Sequence, residues 1–165
     1  MVNLGNGSFV EGATAYGVDS LGDGRGMAMA DFDRDGDLDL IITNYKDRAQ
    51  YYINKVAKGH WLQVRLRGRQ NNRDGVGAII RIRSGNNRQM RVISAGDGYA
   101  SQFSRVAHFG VGKNQIIEEL EVSWPNGIRQ IFEGVATDQM IEIDEKRTDI
   151  KRLIRRETVS RSTRH

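Results

Sequence analysis

Five aspartates stand at alternate positions, Asp31, Asp33, Asp35, Asp37 and Asp39, in the stretch DFDRDGDLDL. Like charges at this density repel one another, so a chain that gathers them needs a counter-charge. A hard divalent cation supplies it, because such an ion takes roughly six to eight oxygens and a tight loop can present them from alternate residues. Written as D-x-D-x-D-G-x-x-D, the stretch offers carboxylates from Asp31, Asp33, Asp35 and Asp39 and the main-chain carbonyl of Asp37. Gly36 stands where the chain must turn sharply. All-oxygen ligation with this charge suits Ca²⁺ rather than Zn²⁺, which prefers nitrogen and sulfur. The likeness to an EF-hand loop is partial: its twelfth position needs Glu and its flanks are helices. Here Ile42 takes that position.

The flanks read instead as strands. GRGMAMA leads in, and LDLIITN leads out with Leu38, Leu40 and Ile42 at a period of two. GDGRG (22–26) reads as the turn before the first of these, and YYIN as a third short strand. Asn3 of NLGNGSF and Asn54 of YYIN lie about 51 residues apart, the spacing of propeller blades. A lone blade leaves Met27, Met29, Leu38, Leu40 and Ile42 in search of cover.

From His60 the texture changes. WLQVRLRG places Leu62, Val64 and Leu66 on one face, and GAIIRIRSGNNRQMRVISAG alternates around a turn at SGNN. SRVAHFGVG, IEELEVSWPNGIRQIFEG and QMIEIDE add strands, with Pro125-Asn126-Gly127 as a tight turn. About seven short strands in roughly 85 residues predict an antiparallel sandwich. The expected fold is therefore all-β: a single propeller-type blade with a calcium loop over 1–56, an antiparallel β-sandwich over 57–145, and a short basic C-terminal tail over 146–165.

The charge is divided along the same lines. The net +4 of the chain separates into +6 for residues 146–165, with eight Lys/Arg against Asp149 and Glu157, and −2 for the remainder. Such a tail suits an acidic surface, but a solvated end is the plainer expectation, and nucleic acid is not an expected partner. Ile150, Leu153 and Ile154 fall at helical spacing, which predicts a short amphipathic helix and a tail the fold can lose. No segment approaches the roughly 18 to 20 apolar residues of a membrane span. MVNLGNGSFVEGA shows neither the basic start nor the apolar run of a secretory leader. With no cysteine, disulfides and thiolate metal sites are excluded, whatever the compartment.

GNGSFVEGATAYGV, MADFDRDGDLDLIITN and YYIN together resemble the FG-GAP/VCBS repeat of integrin-type propellers, calcium loop included. Residues from about Trp61 to Asp144 resemble the ASPIC/UnbV domain that follows such repeats in CRTAC1-like proteins. NNRDGVGA (71–78), SAGDGYASQ (94–102), HFGVG (108–112) and LEVSWPNG (120–127) carry that match. The resemblance implies an extracellular or periplasmic binding, adhesion or assembly module. One blade cannot close a ring, so it also implies a C-terminal portion of a longer protein, or a blade covered by the next domain, a protein partner or another copy.

The same motifs supply candidate ligand contacts: Asn72, Arg73 and Asp74 in the first, Tyr99 and Gln102 in the second, His108 in the third. Each also has a plain structural use, fixing a loop or packing a ring. Trp124 reads as a core or hairpin anchor, or, if exposed, as a platform for carbohydrate. Catalysis finds little support, with no cysteine nucleophile, no G-x-S-x-G and no Gly-rich loop between strand and helix. The remaining enzymatic alternative is an accessory enzyme using an acid/base pair of Asp74 and His108 near Tyr99.

Overall fold

A computed structural model of the chain describes residues 1–4, 6–55, 59–98 and 101–155. Strand-forming sequence dominates it from end to end. A small hairpin pairs β1 (Val2–Asn3) with β2 (Phe9–Val10), and a single helical turn follows at Ala13–Tyr16. Next comes an antiparallel meander of β3 (Gly24–Ala30), β4 (Asp39–Asn44) and β5 (Gln50–Tyr52), with the acidic loop joining β3 to β4. The strand thus begins inside GDGRG, at Gly24, where the sequence suggested a turn.

Eight further strands form the sandwich. They are β6 (His60–Arg67), β7 (Ile79–Ser84), β8 (Asn87–Val92), β9 (Ala107–Gly112), β10 (Ile116–Ser123), β11 (Arg129–Ala136), β12 (Gln139–Asp144) and β13 (Ile150–Arg155). One sheet runs β13-β12-β6-β9 and the other β11-β10-β7-β8. Their inner faces meet through Leu62, Val64 and Leu66 of β6, Ile80 and Ile82 of β7, Phe109 of β9, Leu120 and Val122 of β10, and Ile141 and Ile143 of β12, all buried. The alternation of these residues puts one side of each strand into the core, and each full burial stabilises by about 1.5–3 kcal/mol. Gly85, at φ 58°, takes the first central position of the β7–β8 turn, where an L side chain would strain.

Two expectations are corrected here. The sandwich is not wholly antiparallel, because β6 and β12 pair in parallel, Leu62 opposite Gln139 through Arg67 opposite Asp144. The segment around Ile150 is not a helix. It is β13, antiparallel to β12 with a register shift at Met140/Ile141, and Ile150 packs against the core. A period near three or four in so short a run is weaker than the open edge of β12, which offers a full ladder of hydrogen bonds. Residues 156–165, the rest of the basic tail, lie outside the described residues.

β6 departs from simple alternation in an instructive way. Trp61, Leu62, Gln63 and Val64 are all buried, so the strand is covered on both faces. Leu62 and Val64 face the core, while Trp61 and Gln63 face the acidic loop.

Candidate metal centre

Each aspartate of the loop is placed by its own local hydrogen bonds. Oδ1 of Asp33 accepts from the Asp35 amide at 3.3 Å, Oδ1 of Asp35 from the Asp37 amide at 3.0 Å, and Oδ2 of Asp31 from the Gly36 amide at 3.1 Å. These bonds curl the chain, with Arg34 at φ 63° and Gly36 at φ 100° making the turn. The result groups one carboxylate oxygen from each of Asp31, Asp33 and Asp35 within 4.8 Å of one another. Oxygens facing each other across a calcium ion at roughly 2.3–2.6 Å would be separated by about this distance.

Asp39 is differently employed. It is 1% exposed and accepts three hydrogen bonds, from the Phe32 amide (3.2 Å), the Tyr51 hydroxyl (3.1 Å) and the Asn54 amide (2.8 Å). It bolts the loop to the middle of β5, at Tyr51, and to Asn54 just beyond that strand. Burial first, and the Asp39 carboxylate second, push the Tyr51 phenol up, which keeps it a donor to that carboxylate. Asp37 contributes its amide to the curl.

The loop docks on the sandwich through three contacts. The Gln63 side-chain amide donates to Oδ2 of Asp31 at 2.8 Å, and Nε2 of His108 donates to the Gly36 carbonyl at 2.8 Å. The Trp61 indole lies against Gly36 so closely that a Cβ at residue 36 would sit 1.9 Å from Nε1. Trp61 and the His108 ring stack with 12° between their planes. Gly36 is therefore required twice, by its backbone angle and by its neighbour.

One atom tests whether the site suits a cation. Oδ1 of Asp31 is buried and has no hydrogen-bond donor. A buried carboxylate oxygen without a donor is costly unless a positive charge reaches it. Oxygen donors only, a net negative cluster and this orphaned acceptor fit a hard divalent ion, with Asp31, Asp33 and Asp35 as the residues that could hold it.

The other candidates separate cleanly. Asn72 serves its own loop, exchanging hydrogen bonds with the Val76 amide and carbonyl at 2.7 and 2.8 Å. Asp74 forms an ion pair with Arg105, whose guanidinium also reaches the Gln102 carbonyl oxygen at 3.1 Å when that amide is turned toward it. Arg73 is exposed, and Tyr99 lies outside the described residues. His108 belongs to the acidic loop's docking contact and Asp74 is paired with Arg105, so Asp74 and His108 do not form the acid/base pair weighed above. Trp124 is 3% exposed, with its indole N–H donating to Gln130 at 2.7 Å, so it is the anchor of its hairpin and no platform for sugar.

A second buried carboxylate organises the motif loops, and sequence reasoning passed over it. Glu145 accepts from the amides of Arg69 (2.5 Å), Gln70 (2.7 Å) and Asn71 (3.2 Å) and from the side chains of Asn71 (2.5 Å) and Asn126 (2.8 Å). It ties NNRDGVGA to the Pro125-Asn126-Gly127 turn. Burial acts to raise its pKa, but these donors outweigh burial and bring it down to about 2. The signal available in sequence was an acidic residue ending a strand beside two Asn/Gly-rich turns, which is too common to single out.

Comparison with known proteins matches residues 68–150 to the family model described as ASPIC and UnbV, which is 83 of the 165 residues. The chain belongs to the ASPIC/UnbV family. It is also similar to cartilage acidic protein 1 of Mus musculus and of Homo sapiens, each 32% identical over 123 residues and 72% of this chain. The protein of that name from Xenopus tropicalis is 34% identical over 120 residues, 68% of this chain. The chain spans only 18–19% of the length of these relatives. The ASPIC/UnbV match begins within the β6–β7 connection and ends at the first residue of β13. It therefore covers the Glu145 knot and leaves the acidic loop outside.

Proposed function

We propose that this ASPIC/UnbV chain is a non-enzymatic, calcium-binding β-protein that works as an extracellular or periplasmic binding, adhesion or assembly module. The observation that carries the metal reading is the buried, donorless Oδ1 of Asp31, on a residue whose carboxylate groups with those of Asp33 and Asp35. Loops of this kind in extracellular modules bind Ca²⁺ with dissociation constants of roughly 10⁻⁴–10⁻³ M, a range matched to calcium outside the cell. Similarity to cartilage acidic protein 1 supports the same placement.

The meander β3–β5 is read as one propeller-type blade whose outer side awaits cover. Met27, Met29, Phe32, Tyr51 and Ile53 are 36–48% exposed, while Leu38, Leu40 and Ile42 are half-buried. A partner protein, a further blade or another copy would bury the exposed set, which is the assembly side of the proposal. The alternative within this reading is a structural subunit that docks through that open blade. Terbium luminescence sensitised by Trp61, which lies against the loop, tests the metal centre directly. Sensitised emission that calcium displaces, and that Asp33→Ala abolishes, is expected. No emission and no calorimetric binding of calcium up to millimolar concentrations would overturn the reading.

A further inference from the structure

The acidic loop does not fill the junction it makes with the sandwich. Beside it lies a cleft of about 520 Å³, open on one side, whose wall combines the loop with β6, β8 and β9. That is the size of a site for a few side chains. Four arginines line it: Arg105, which is paired with Asp74, and three others, Arg34 from the loop, Arg65 from the outer face of β6, and Arg91 from β8. All three are exposed, and among the described residues none forms an ion pair with a carboxylate. Arg91 lies over the Phe109 ring at 5.3 Å and donates to the neighbouring Met90 carbonyl, which fixes its planar head without neutralising it. Elsewhere on this sandwich several arginines are matched, Arg81 and Arg129 to Glu121, Arg83 to Glu118 and Arg69 to Asp144, while Arg73 and Arg88 are exposed and, among the described residues, form no ion pair. What sets Arg34, Arg65 and Arg91 apart is that they line one cleft.

Carboxylates on the cleft wall are Asp31, already part of the metal cluster, and Asp97. The remaining wall is apolar, with Met29 and Val92 exposed and Phe103 and Met140 beneath. A guanidinium presents paired N–H donors in a plane that matches a carboxylate, and three around an apolar floor select a ligand carrying both features. The tryptophan on this wall, Trp61, is 3% exposed and offers no open face for stacking on a sugar ring.

We propose that this cleft binds an acidic peptide segment of a protein partner, with Asp or Glu side chains on Arg34, Arg65 and Arg91 and apolar neighbours on Met29, Val92 and Phe103. The inference rests on the binding-module reading and names the partner's chemistry. It does not depend on the ion, because none of the three arginines is a metal ligand.

The test uses the full chain and a fluorescein-labelled, end-capped octapeptide alternating Glu with Leu, beside its Gln-for-Glu counterpart. Anisotropy is followed in calcium buffer and again in chelator, at low and high salt. The Glu peptide should bind at least about tenfold more tightly than the Gln peptide, with affinity falling as salt rises. Arg34→Gln, Arg65→Gln and Arg91→Gln should each weaken it about five- to tenfold without moving the melting temperature. Arg88→Gln, outside the cleft, should leave binding unchanged. Binding of the Glu peptide in either buffer, lost in the arginine variants, supports the inference even where calcium binding fails. Equal binding of the two peptides, no binding in both buffers, or indifference to all three arginine variants overturns it. So does capture of a sulfated oligosaccharide by the same arginines when the Glu peptide does not bind.

Discussion

Gln63 donates its side-chain amide to Oδ2 of Asp31 at 2.8 Å, joining the acidic loop to the outer face of the sandwich. The same carboxylate carries the buried oxygen that has no donor. One side chain thus links the proposed ion to the fold of the other half of the chain. Ligands held by an outer partner bind metals more tightly, since the partner fixes their orientation beforehand.

Calcium should therefore raise the melting temperature of the whole chain. At a hundredfold excess over its dissociation constant the gain is about 2.7 kcal/mol, because the folded loop binds the ion and the unfolded chain does not. Asp33→Ala or Asp35→Ala should remove most of it. Gln63→Ala should weaken calcium by roughly tenfold while leaving binding detectable. Scanning calorimetry with calcium and with chelator decides the matter, and identical curves would defeat the metal reading.

Gly36→Ala should be among the most damaging single substitutions in the loop. Its backbone angle of φ 100° disfavours any side chain, at a cost of about 1–3 kcal/mol. The new Cβ would also overlap the Trp61 indole, so the loop must lift from β6. A red shift in tryptophan emission should accompany the loss of stability. An unshifted spectrum with unchanged stability would mean that the loop does not rest on Trp61.

Much of this was legible because the signals were local. Alternation in WLQVRLRG and GAIIRIRS led directly to β6 and β7, the SGNN turn to β8, the hairpin partner of β7, and the alternating aspartates to the grouped carboxylates. What escaped was long-range. The parallel pairing of β6 with β12 joins segments more than 70 residues apart, and no local pattern distinguishes it from an antiparallel ladder. Gln63 reads as the polar, solvent-facing member of an alternating strand until the loop is seen to cover it. Gly36 could be assigned to a turn, but its indole neighbour lies 25 residues further along the chain.

The strand β13 alters an expectation about the basic end of the chain. A solvated tail could be removed without effect, whereas β13 pairs along β12 and sets Ile150 against the core. Ending the chain at Asp149 should lower the melting temperature and expose the edge of β12 to aggregation. Ile150→Ala alone should cost about 1–2 kcal/mol, less than for a fully buried isoleucine. Urea unfolding of the two variants measures both effects, and midpoints equal to the parent's would show that β13 contributes nothing.

Glu145 sets the acid limit of the sandwich. Its carboxyl titrates near 2 in the folded chain against an ordinary 4.5, held down by main-chain amides of Arg69, Gln70 and Asn71 and by the Asn126 side chain against the opposing effect of burial. A depressed folded pKa means that the ionised form favours folding. Its contribution is complete above the unfolded value and is lost as pH falls from about 5 toward 2. Glu145→Gln keeps the shape, removes the charge and replaces one acceptor oxygen with a donor that faces other donors. It should destabilise at neutral pH by at least about 2 kcal/mol, since donors near a buried group lose their acceptor. The variant's stability should also fall less steeply than the parent's between pH 5 and 2. Melting temperatures of the two proteins across that range provide the comparison, and parallel pH profiles would show that the knot joining NNRDGVGA to the Pro125-Asn126-Gly127 turn does not draw its strength from this charge.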